Sequence, residues 1–302
     1  MKIGLLGAGR MGAAFALRLL GTGHEVCVWN RTRGKAEELE EHGATVAGTP
    51  LEAARRADVL LSMLADDDAV VDALLDGRAP AIDGLVRGST HVSMSTISPR
   101  LSEHLTRLHE ERGNGYVSAP VLGRPELAAH GDLVIVAAGS QDALLRCAPI
   151  FAALGKETQL LGGDPPRANV VKLAVNFMMA TMFETLGEAY ALVERYGVSD
   201  ERFLEVVNGA LLKSPVIAAY GERIARNAFA PPGLRLRLGL KDVRLALEAA
   251  EEHALPMPVA SVLRDRFLAA VGSGCEDADW SAVARAARTQ HEPMAPADRP
   301  CH

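Results

Sequence analysis

The chain has 302 residues, with 32 Lys and Arg against 38 Asp and Glu, so its formal net charge is −6. This acidic balance argues against nucleic acid as the main partner, because nucleic-acid-binding domains present basic surfaces. Hydrophobic residues make up 48% of the chain, which allows a sizeable core and excludes global disorder. The length predicts about two domains.

The cysteines and the N-terminus predict a cytoplasmic protein. Cys27, Cys147, Cys275 and Cys301 lie far apart and match no zinc-ligand spacing, so we expect reduced thiols and no metal site. The chain starts with a strand-like run rather than a charged segment, an apolar stretch and a cleavage site. This start predicts no signal peptide.

The first elements predict a dinucleotide-binding unit. A short apolar run, Lys2 to Leu6, leads into Gly7-Ala8-Gly9-Arg10-Met11-Gly12. An amphipathic helix and a second strand candidate follow within about 30 residues, which is the context that the fingerprint G-x-G-x-x-G requires. Gly7 would allow a tight turn, Gly9 a close approach to a pyrophosphate, and Gly12 close packing of helix on strand. We expect the phosphates at the N-terminus of that helix.

The residues that close the second strand, Asn30-Arg31-Thr32-Arg33, predict the type of cofactor. A carboxylate at this place would bind the ribose 2′-hydroxyl of NAD. No acid is present, and Arg31 and Arg33 can face a 2′-phosphate through charge-assisted hydrogen bonds. We therefore predict NADP(H), with Asn30, Arg31 and Thr32 at its ribose. The alternative is that the arginines belong to the surface of the next helix and bind no ligand.

Strand and helix candidates alternate up to about residue 163, which predicts an α/β fold with a doubly wound parallel sheet. Ligands bind such sheets beyond the carboxyl ends of the strands. Two further strand ends, Met63-Leu64-Ala65 and Ser95-Thr96, should therefore lie beside the glycine turn. The acids Asp66 to Asp68 suit a helix start, and we assign them no catalytic role.

A long helix is predicted from about Arg167 to Tyr196, because Pro165 and Pro166 precede it and Gly197 follows it. It is apolar nearly all round, so it should be buried on several sides. Its uncharged run, Leu173 to Phe183, is too short for a membrane span, which needs about 20 apolar residues.

Two polar residues, Lys172 and Asn176, interrupt the apolar surface of this helix. Their spacing of i and i+4 makes them project from one face. A lysine inside an apolar helix is costly unless the site uses it or the side chain extends to the surface. The residues alone leave both readings of Lys172 open.

These patterns divide the chain into a nucleotide-binding domain at residues 1–163, an all-helical domain at 164–288 that begins with the long helix, and a disordered tail at 289–302. We expect the active site in the cleft between the domains. The long helix is hard to cover within roughly 125 residues of helical domain. This predicts a homo-oligomer, a dimer or tetramer with the helical domains in contact.

Together these motifs resemble the β-hydroxyacid dehydrogenase family, which includes 3-hydroxyisobutyrate dehydrogenases and semialdehyde reductases. The resemblance runs from Lys2 to about Ala287, and segments besides the glycine turn carry it. They are Ser93–Pro99, Ser118–Arg124 with Ala128 and Gly131, Lys172–Asn176, and Lys241-Asp242.

The resemblance implies a role for several residues. Lys172 would be the general acid/base, Asn176 would place the substrate, and Lys241 would lie near the nicotinamide. Leu122, Gly123 and Arg124 would form the substrate loop. Met179 is not part of the resemblance, but it lies one turn beyond Asn176 on the same face, so it either lines the pocket or belongs to the core. The chemistry agrees, because a carbonyl that receives a hydride becomes an alkoxide, which needs a proton or a cation beside it.

Three positions depart from the family pattern. The family loop usually carries Ser-Gly-Gly, but this chain has Leu122-Gly123-Arg124. The family often has two consecutive asparagines on the helix, but here Val175 precedes Asn176. Ser118 replaces the usual acid before the Ala-Pro pair. Either Arg124 binds a substrate carboxylate in place of the serine, or the substrate is not a simple hydroxy acid.

The leading hypothesis is an NADP(H)-dependent oxidoreductase that moves a hydride between the nicotinamide and a small carbonyl or alcohol. Semialdehydes, glyoxylate and β-hydroxy acids are the usual substrates in the family. A second hypothesis is an imine reductase acting on cyclic imines, although that group usually has Asp or Tyr in place of Lys172. A third is a catalytically silent relative with protein or chromatin partners, although such relatives lack the lysine and carry basic segments.

Overall fold

The computed structural model of the chain describes residues 1–55, 57–210 and 212–289. Contacts divide the chain into two compact units, Met1–Lys172 and Leu173–His302. This division falls inside the long helix, whereas the sequence pattern places the domain boundary ahead of it, at residue 163. The predicted disordered tail, residues 289–302, lies outside the described residues except for Thr289, which ends the last helix.

The first unit is built on a nine-stranded sheet. Its strands are β1 Lys2–Leu6, β2 Glu25–Trp29, β3 Thr45–Val46, β4 Val59–Ser62, β5 Thr90–Ser93, β6 Gly115–Ser118, β7 Val121–Leu122, β8 Leu133–Gly139 and β9 Gly155–Leu160. Its helices are α1 Arg10–Gly21, α2 Gly34–Glu37, α3 Pro50–Ala54, α4 Asp67–Val71, α5 Pro99–Arg112, α6 Pro125–His130 and α7 Gln141–Leu154.

The strand order is β3-β2-β1-β4-β5-β6-β8-β7, and β9 pairs with β8. Strands β1 to β6 pair in parallel, which confirms the predicted α/β fold class. β8 runs antiparallel to both β6 and β7, and β9 is parallel to β8. The sheet is therefore mixed at one end.

Helices cover both faces of this sheet. Successive strand residues point to opposite faces, so Leu5 joins one core with Phe15 of α1 and Ile150 of α7. Leu6 joins a second core with Leu105 of α5. Helix coverage on both sides explains why β1 and β4 are buried in consecutive residues rather than in alternate ones.

The second unit is helical in its described part, as predicted. Helix α8, Pro166–Glu194, begins in the first unit and continues into the second. The other named helices of the second unit are α9 Asp200–Gly209, α10 Pro215–Ala225, α11 Leu236–Glu251, α12 Pro258–Gly272 and α13 Arg285–Thr289. Its core gathers Phe183 and Tyr190 of α8 around Tyr220 and Trp280. Trp280 Nε1–H donates to the hydroxyl of Tyr220 at 3.2 Å, so the largest aromatic side chain is buried with its polar atom paired.

The long helix α8 spans 29 residues, which corresponds to about 43 Å. Gly197 follows it with a φ of 76°, as expected for a glycine beyond a helix end. In the described ranges α8 is the one helix with the length and composition to cross a membrane, and 39% of its most apolar window is buried. One such helix is weak evidence, because the core helix of a soluble protein passes the same test. The cytoplasmic location stays a prediction.

The expectation of reduced cysteines does not hold throughout the chain. Cys27 and Cys147 are free thiols, but Cys275 is disulfide-bonded. Distance along the sequence does not prevent such pairing, because a disulfide needs only that two Cα atoms approach to about 4.4–6.8 Å in space.

A buried polar cluster lies where β5, α5 and β6 meet. His91 stacks on His109 with ring centroids 5.0 Å apart, and Tyr116 contacts both rings. His91 Nε2 lies 2.9 Å from Ser62 Oγ, and His109 Nδ1–H donates to the Leu105 carbonyl at 2.7 Å. Burial lowers the pKa of His91 well below its usual value and that of His109 to about 4.

We expect His109 to make the folded chain less stable in acid. Its pKa is about 4 when folded against 6.5 when unfolded, so the unfolded chain binds more protons between these values. The free energy of unfolding therefore falls as the pH drops from 6.5 towards 4. In His109→Asn, the decrease in the free energy of unfolding between pH 8 and pH 5 should be about 2 kcal/mol smaller than in the unmodified chain.

Denaturant unfolding at both pH values measures this difference. His104→Asn, at an exposed position on the same helix, is the matched control and should keep the full pH dependence. An unchanged pH dependence in His109→Asn would contradict the assignment.

Candidate active site

The glycine turn after β1 leaves no room for side chains at two positions. Gly7 has a φ of 107°, and a Cβ there would lie 2.3 Å from the Met63 carbonyl oxygen. A Cβ on Gly12 would lie 1.9 Å from the Gly7 carbonyl oxygen, so α1 can approach β1 only with glycine at this position. By contrast, a Cβ on Gly9 would meet no atom within 4 Å. Open space therefore faces the backbone at the start of α1.

The N-terminus of α1 fits an anion. The helix begins at Arg10 with Gly9 as its N-cap, and none of the described side chains caps it. N–H groups in the first turn of a helix lack partners within the helix, and the helix dipole adds partial positive charge there. The open space at Gly9 and these donors together fit the diphosphate of a dinucleotide.

Asn30 joins the ends of β1 and β2. Its Oδ1 accepts a hydrogen bond from the Ala8 N–H at 2.9 Å, and its Nδ2 donates to the Thr32 carbonyl at 2.8 Å. The predicted ribose residue is thus also a structural element of the glycine turn. Its bond occupies the Ala8 N–H, so this donor is already engaged within the protein.

The two arginines that follow differ in their surroundings, although both are exposed. Arg33 Nε lies 2.7 Å from Glu37 Oε1 on α2, and the hydrogen bond and charge of Glu37 raise the pKa of Arg33. Within residues 1–55, 57–210 and 212–289, Arg31 has no ion-pair partner. Arg31 is therefore the better placed of the two to bind an external phosphate.

The loops after β4 and β5 are joined by hydrogen bonds. The Leu64 N–H donates to Ser95 Oγ at 2.8 Å, and Ser95 Oγ donates to the Ser62 carbonyl at 3.2 Å. β1, β4 and β5 are parallel neighbours, so both loops leave the sheet at the edge that carries the glycine turn. The predicted cofactor residues on these loops are Met63, Leu64, Ala65 and Thr96.

The acids after β4 begin a helix, as predicted. Asp66 Oδ1 accepts from the Ala69 N–H at 2.9 Å and caps α4. Asp67 makes a second connection that the sequence did not predict, because its Oδ1 accepts from the Ser98 N–H at 3.0 Å and its Oδ2 from the Ser98 hydroxyl at 2.5 Å. This connection holds the β4 loop against the start of α5.

The predicted substrate loop connects β7 to α6. Gly123 has a φ of 147°, and a Cβ there would lie 2.6 Å from Leu133 Cδ2, so the turn requires glycine. Arg124 is the N-cap residue of α6. Leu122 is half-buried against a small apolar cluster, so the position of the usual loop serine holds a packed apolar side chain. The buried residues of this cluster are Val136, Ala138 and Ala168.

A buried hydrogen bond joins the end of β6 to the beginning of α8. Ser118 Oγ donates to Asn169 Oδ1 at 2.7 Å, and the two residues are 0% and 1% exposed. Asn169 Nδ2 also lies 3.5 Å from the Ile97 carbonyl, in the loop after β5. The sequence pattern assigns no role to Asn169, although an asparagine three residues before Lys172 on a largely apolar helix is a usable signal.

Lys172 and Asn176 lie one turn apart on α8, with Lys172 half-buried and Asn176 buried. Asn176 Nδ2 donates to Asp242 Oδ2 of α11 at 2.6 Å. Asp242 Oδ1 lies 3.2 Å from Lys241 Nζ. The structure thus brings Asn176 and Lys241 to the same buried carboxylate. Met179 packs against the core of the second unit.

Two family models match the chain. Residues 2–163 match the NAD-binding domain of 6-phosphogluconate dehydrogenase. Residues 167–287 match the NAD-binding domain of NADP-dependent 3-hydroxyisobutyrate dehydrogenase. The two matches together cover nearly the whole described chain.

Relatives of known sequence agree with these matches. An uncharacterised oxidoreductase of Bacillus subtilis is 39% identical over 283 residues, which is 94% of this chain and 98% of the relative. Glyoxylate/succinic semialdehyde reductase 1 of Arabidopsis thaliana is 32% identical over 292 residues, which is 97% of this chain and 100% of the relative.

Solved structures show the same likeness. The 3-hydroxyisobutyrate dehydrogenase of Mycobacterium tuberculosis, solved with L-serine, has a TM-score of 0.85 at 26% identity, over 95% of this chain and 99% of that one. An imine reductase of Myxococcus stipitatus in complex with NADP+ has a TM-score of 0.64 at 25% identity, over 94% and 99%. With its glycine turn, its mixed α/β unit and its helical unit, the chain belongs to the β-hydroxyacid dehydrogenase family and is an NAD(P)-dependent oxidoreductase of that type.

Proposed function

We propose that the protein is an NADP(H)-dependent reductase or dehydrogenase in which Lys172 is the general acid/base. The substrate would be a small carbonyl compound or its alcohol, of the semialdehyde, glyoxylate or β-hydroxy acid type. The main support is the placement of Lys172, a lysine on a largely apolar helix whose first turns are hydrogen-bonded to the loop after β5. Asn176, which lies on the same face one turn later, supports the same assignment.

The chain's own residues would carry the proton chemistry. Bound NADPH would supply the hydride. Lys172 would donate a proton to the carbonyl oxygen as negative charge develops there, and would accept it from the hydroxyl in the reverse direction. Because Asp242 holds Nδ2 of Asn176, the Oδ1 of Asn176 remains to accept a hydrogen bond from the substrate hydroxyl.

Lys172→Ala should lower kcat by about 10²- to 10⁴-fold, the usual contribution of a general acid/base, while NADPH affinity stays near normal. Steady-state oxidation of NADPH with glyoxylate and with succinic semialdehyde measures the loss, and Lys172→Met is the control for side-chain length. Full activity in either variant would exclude Lys172 as the acid/base.

The same assay separates the alternative functions. Turnover of cyclic imines without turnover of carbonyls would favour an imine reductase, whose lower TM-score of 0.64 makes it the second candidate. Failure to bind either NADPH or NADH would favour the catalytically silent alternative. Retention of Lys172 and the acidic net charge of −6 argue against that last alternative.

We further propose NADP(H) over NAD(H), with the diphosphate at Gly7–Gly12 and the 2′-phosphate at Arg31. The pairing of Arg33 with Glu37 and the missing acid after β2 support this assignment. Leu64, Ala65 and Thr96 would line the remainder of the cofactor site.

Arg31→Ala should weaken NADPH binding by about tenfold or more and change NADH binding little, because a hydrogen bond to a charged group contributes about 1.5–3 kcal/mol. Titration of tryptophan fluorescence with each dinucleotide measures this, since Trp29 directly precedes Asn30. Arg33→Ala is the matched control and should have the smaller effect. Equal losses for both dinucleotides in Arg31→Ala would exclude the 2′-phosphate contact.

We also propose that the protein is a homo-oligomer. Met178 and Leu192 of α8, Val206 of α9 and Val262 of α12 are each more than half exposed. These exposed apolar side chains support the proposal, because contact with a second copy of the helical unit would remove them from water. Size-exclusion chromatography with light scattering should give two or four times the mass of the chain, and a monomeric mass at micromolar concentration would contradict the proposal.

A further inference from the structure

We propose that Ser118 and Asn169 are a positioning pair that fixes the turn of α8 bearing Lys172. The proposal rests on the role of Lys172 proposed above. Neither residue would touch the substrate, so their effect on turnover would pass through the lysine alone.

The pair connects α8 to the sheet of the first unit. Ser118 ends β6, where it is opposite Ser93 of β5 on one side and Ala138 of β8 on the other. Its hydroxyl donates to Asn169 Oδ1 at 2.7 Å, and Asn169 Nδ2 lies 3.5 Å from the Ile97 carbonyl. One amide therefore contacts both a central strand and the loop after β5.

Asn169 lies three residues before Lys172 on the same helix, so the two side chains leave neighbouring positions of one helical face, with a rise of about 4.5 Å between them. A hydrogen bond at Asn169 is directional, and it sets the rotation of this turn about the helix axis. That rotation determines where the Lys172 ammonium is presented. Misplacement of a reacting group by about 1 Å can lower a rate by about 10²-fold.

The chemistry of the site favours this assignment over plain packing. Asparagine is a poor residue for the interior of a helix, and burial of its amide without partners costs about 1–3 kcal/mol. The neighbouring Ala168 already packs on Val136 and Ala138, so apolar contact alone would hold the helix against the sheet. The polar pair adds an orientation that apolar packing does not specify.

Ser118→Ala and Asn169→Ala should each lower kcat by about 10- to 100-fold, with NADPH affinity within twofold of the unmodified protein. Because both act through one hydrogen bond, the double variant should lose no more than the worse single variant. Ser102→Ala is the matched control, since Ser102 is equally buried and its hydroxyl accepts a hydrogen bond from the Tyr116 hydroxyl at 3.4 Å. Its kcat should be unchanged.

The pH dependence of kcat tests whether the side chain at residue 169 lies close enough to Lys172 to act on it. Asn169→Asp keeps an acceptor for the Ser118 hydroxyl and adds a negative charge one turn from Lys172, so the kcat limb that titrates with Lys172 should move to higher pH. Loss of stability alone would not move that limb. Asn169→Ser replaces the alanine variant in all measurements if Asn169→Ala does not fold.

The outcomes distinguish this inference from the proposed function. If Lys172→Ala is inactive but the Ser118 and Asn169 variants keep normal kcat and pH profiles, the positioning pair is wrong and the role of Lys172 stands. If Lys172→Ala is fully active, the acid/base assignment itself is wrong. Additive losses in the double variant would also overturn the pair.

Discussion

The absence of a side chain at residue 12 is the constraint on which the cofactor end of the molecule depends. A Cβ there would collide with the Gly7 carbonyl, so helix α1 starts directly behind β1 and its N-terminus faces the open space at Gly9. Asn30 then attaches β2 to the same turn through the Ala8 N–H. These backbone positions make the edge of a common α/β sheet suitable for a diphosphate without any charged side chain.

Helix α8 is the second organising element, because the boundary between the two compact units falls within it, after Lys172. Its first turns carry Asn169 and Lys172, and its next turn carries Asn176, each with a different surrounding. Asn169 is bonded to the sheet of the first unit, and Asn176 to a carboxylate of the second. Each of these two side chains is therefore oriented by a hydrogen bond within its own unit.

The features that could be predicted from the sequence are those that local residue patterns determine. Glycine spacing gave the dinucleotide turn, proline and glycine gave the ends of α8, and alternating elements gave the α/β fold class. The reversed direction of β8 was not predictable, because pairing with β6 and not local pattern sets strand direction. The bond between Ser118 and Asn169 joins residues 51 positions apart, and the link from Asp67 to Ser98 joins residues 31 apart. Such long-range contacts produce no periodic pattern in a single sequence.

The double role of Asn30 has a consequence for how cofactor preference can evolve in this chain. Its amide accepts from the glycine turn and donates to the Thr32 carbonyl, and no other common side chain offers both an acceptor and a donor at that length. Selection for the turn therefore restricts residue 30, whereas Arg31 is exposed and bears no comparable structural duty. Under the proposed contact between Arg31 and a 2′-phosphate, the preference for NADP(H) or NAD(H) can change by substitution at residue 31, which leaves the hydrogen bonds of the turn intact.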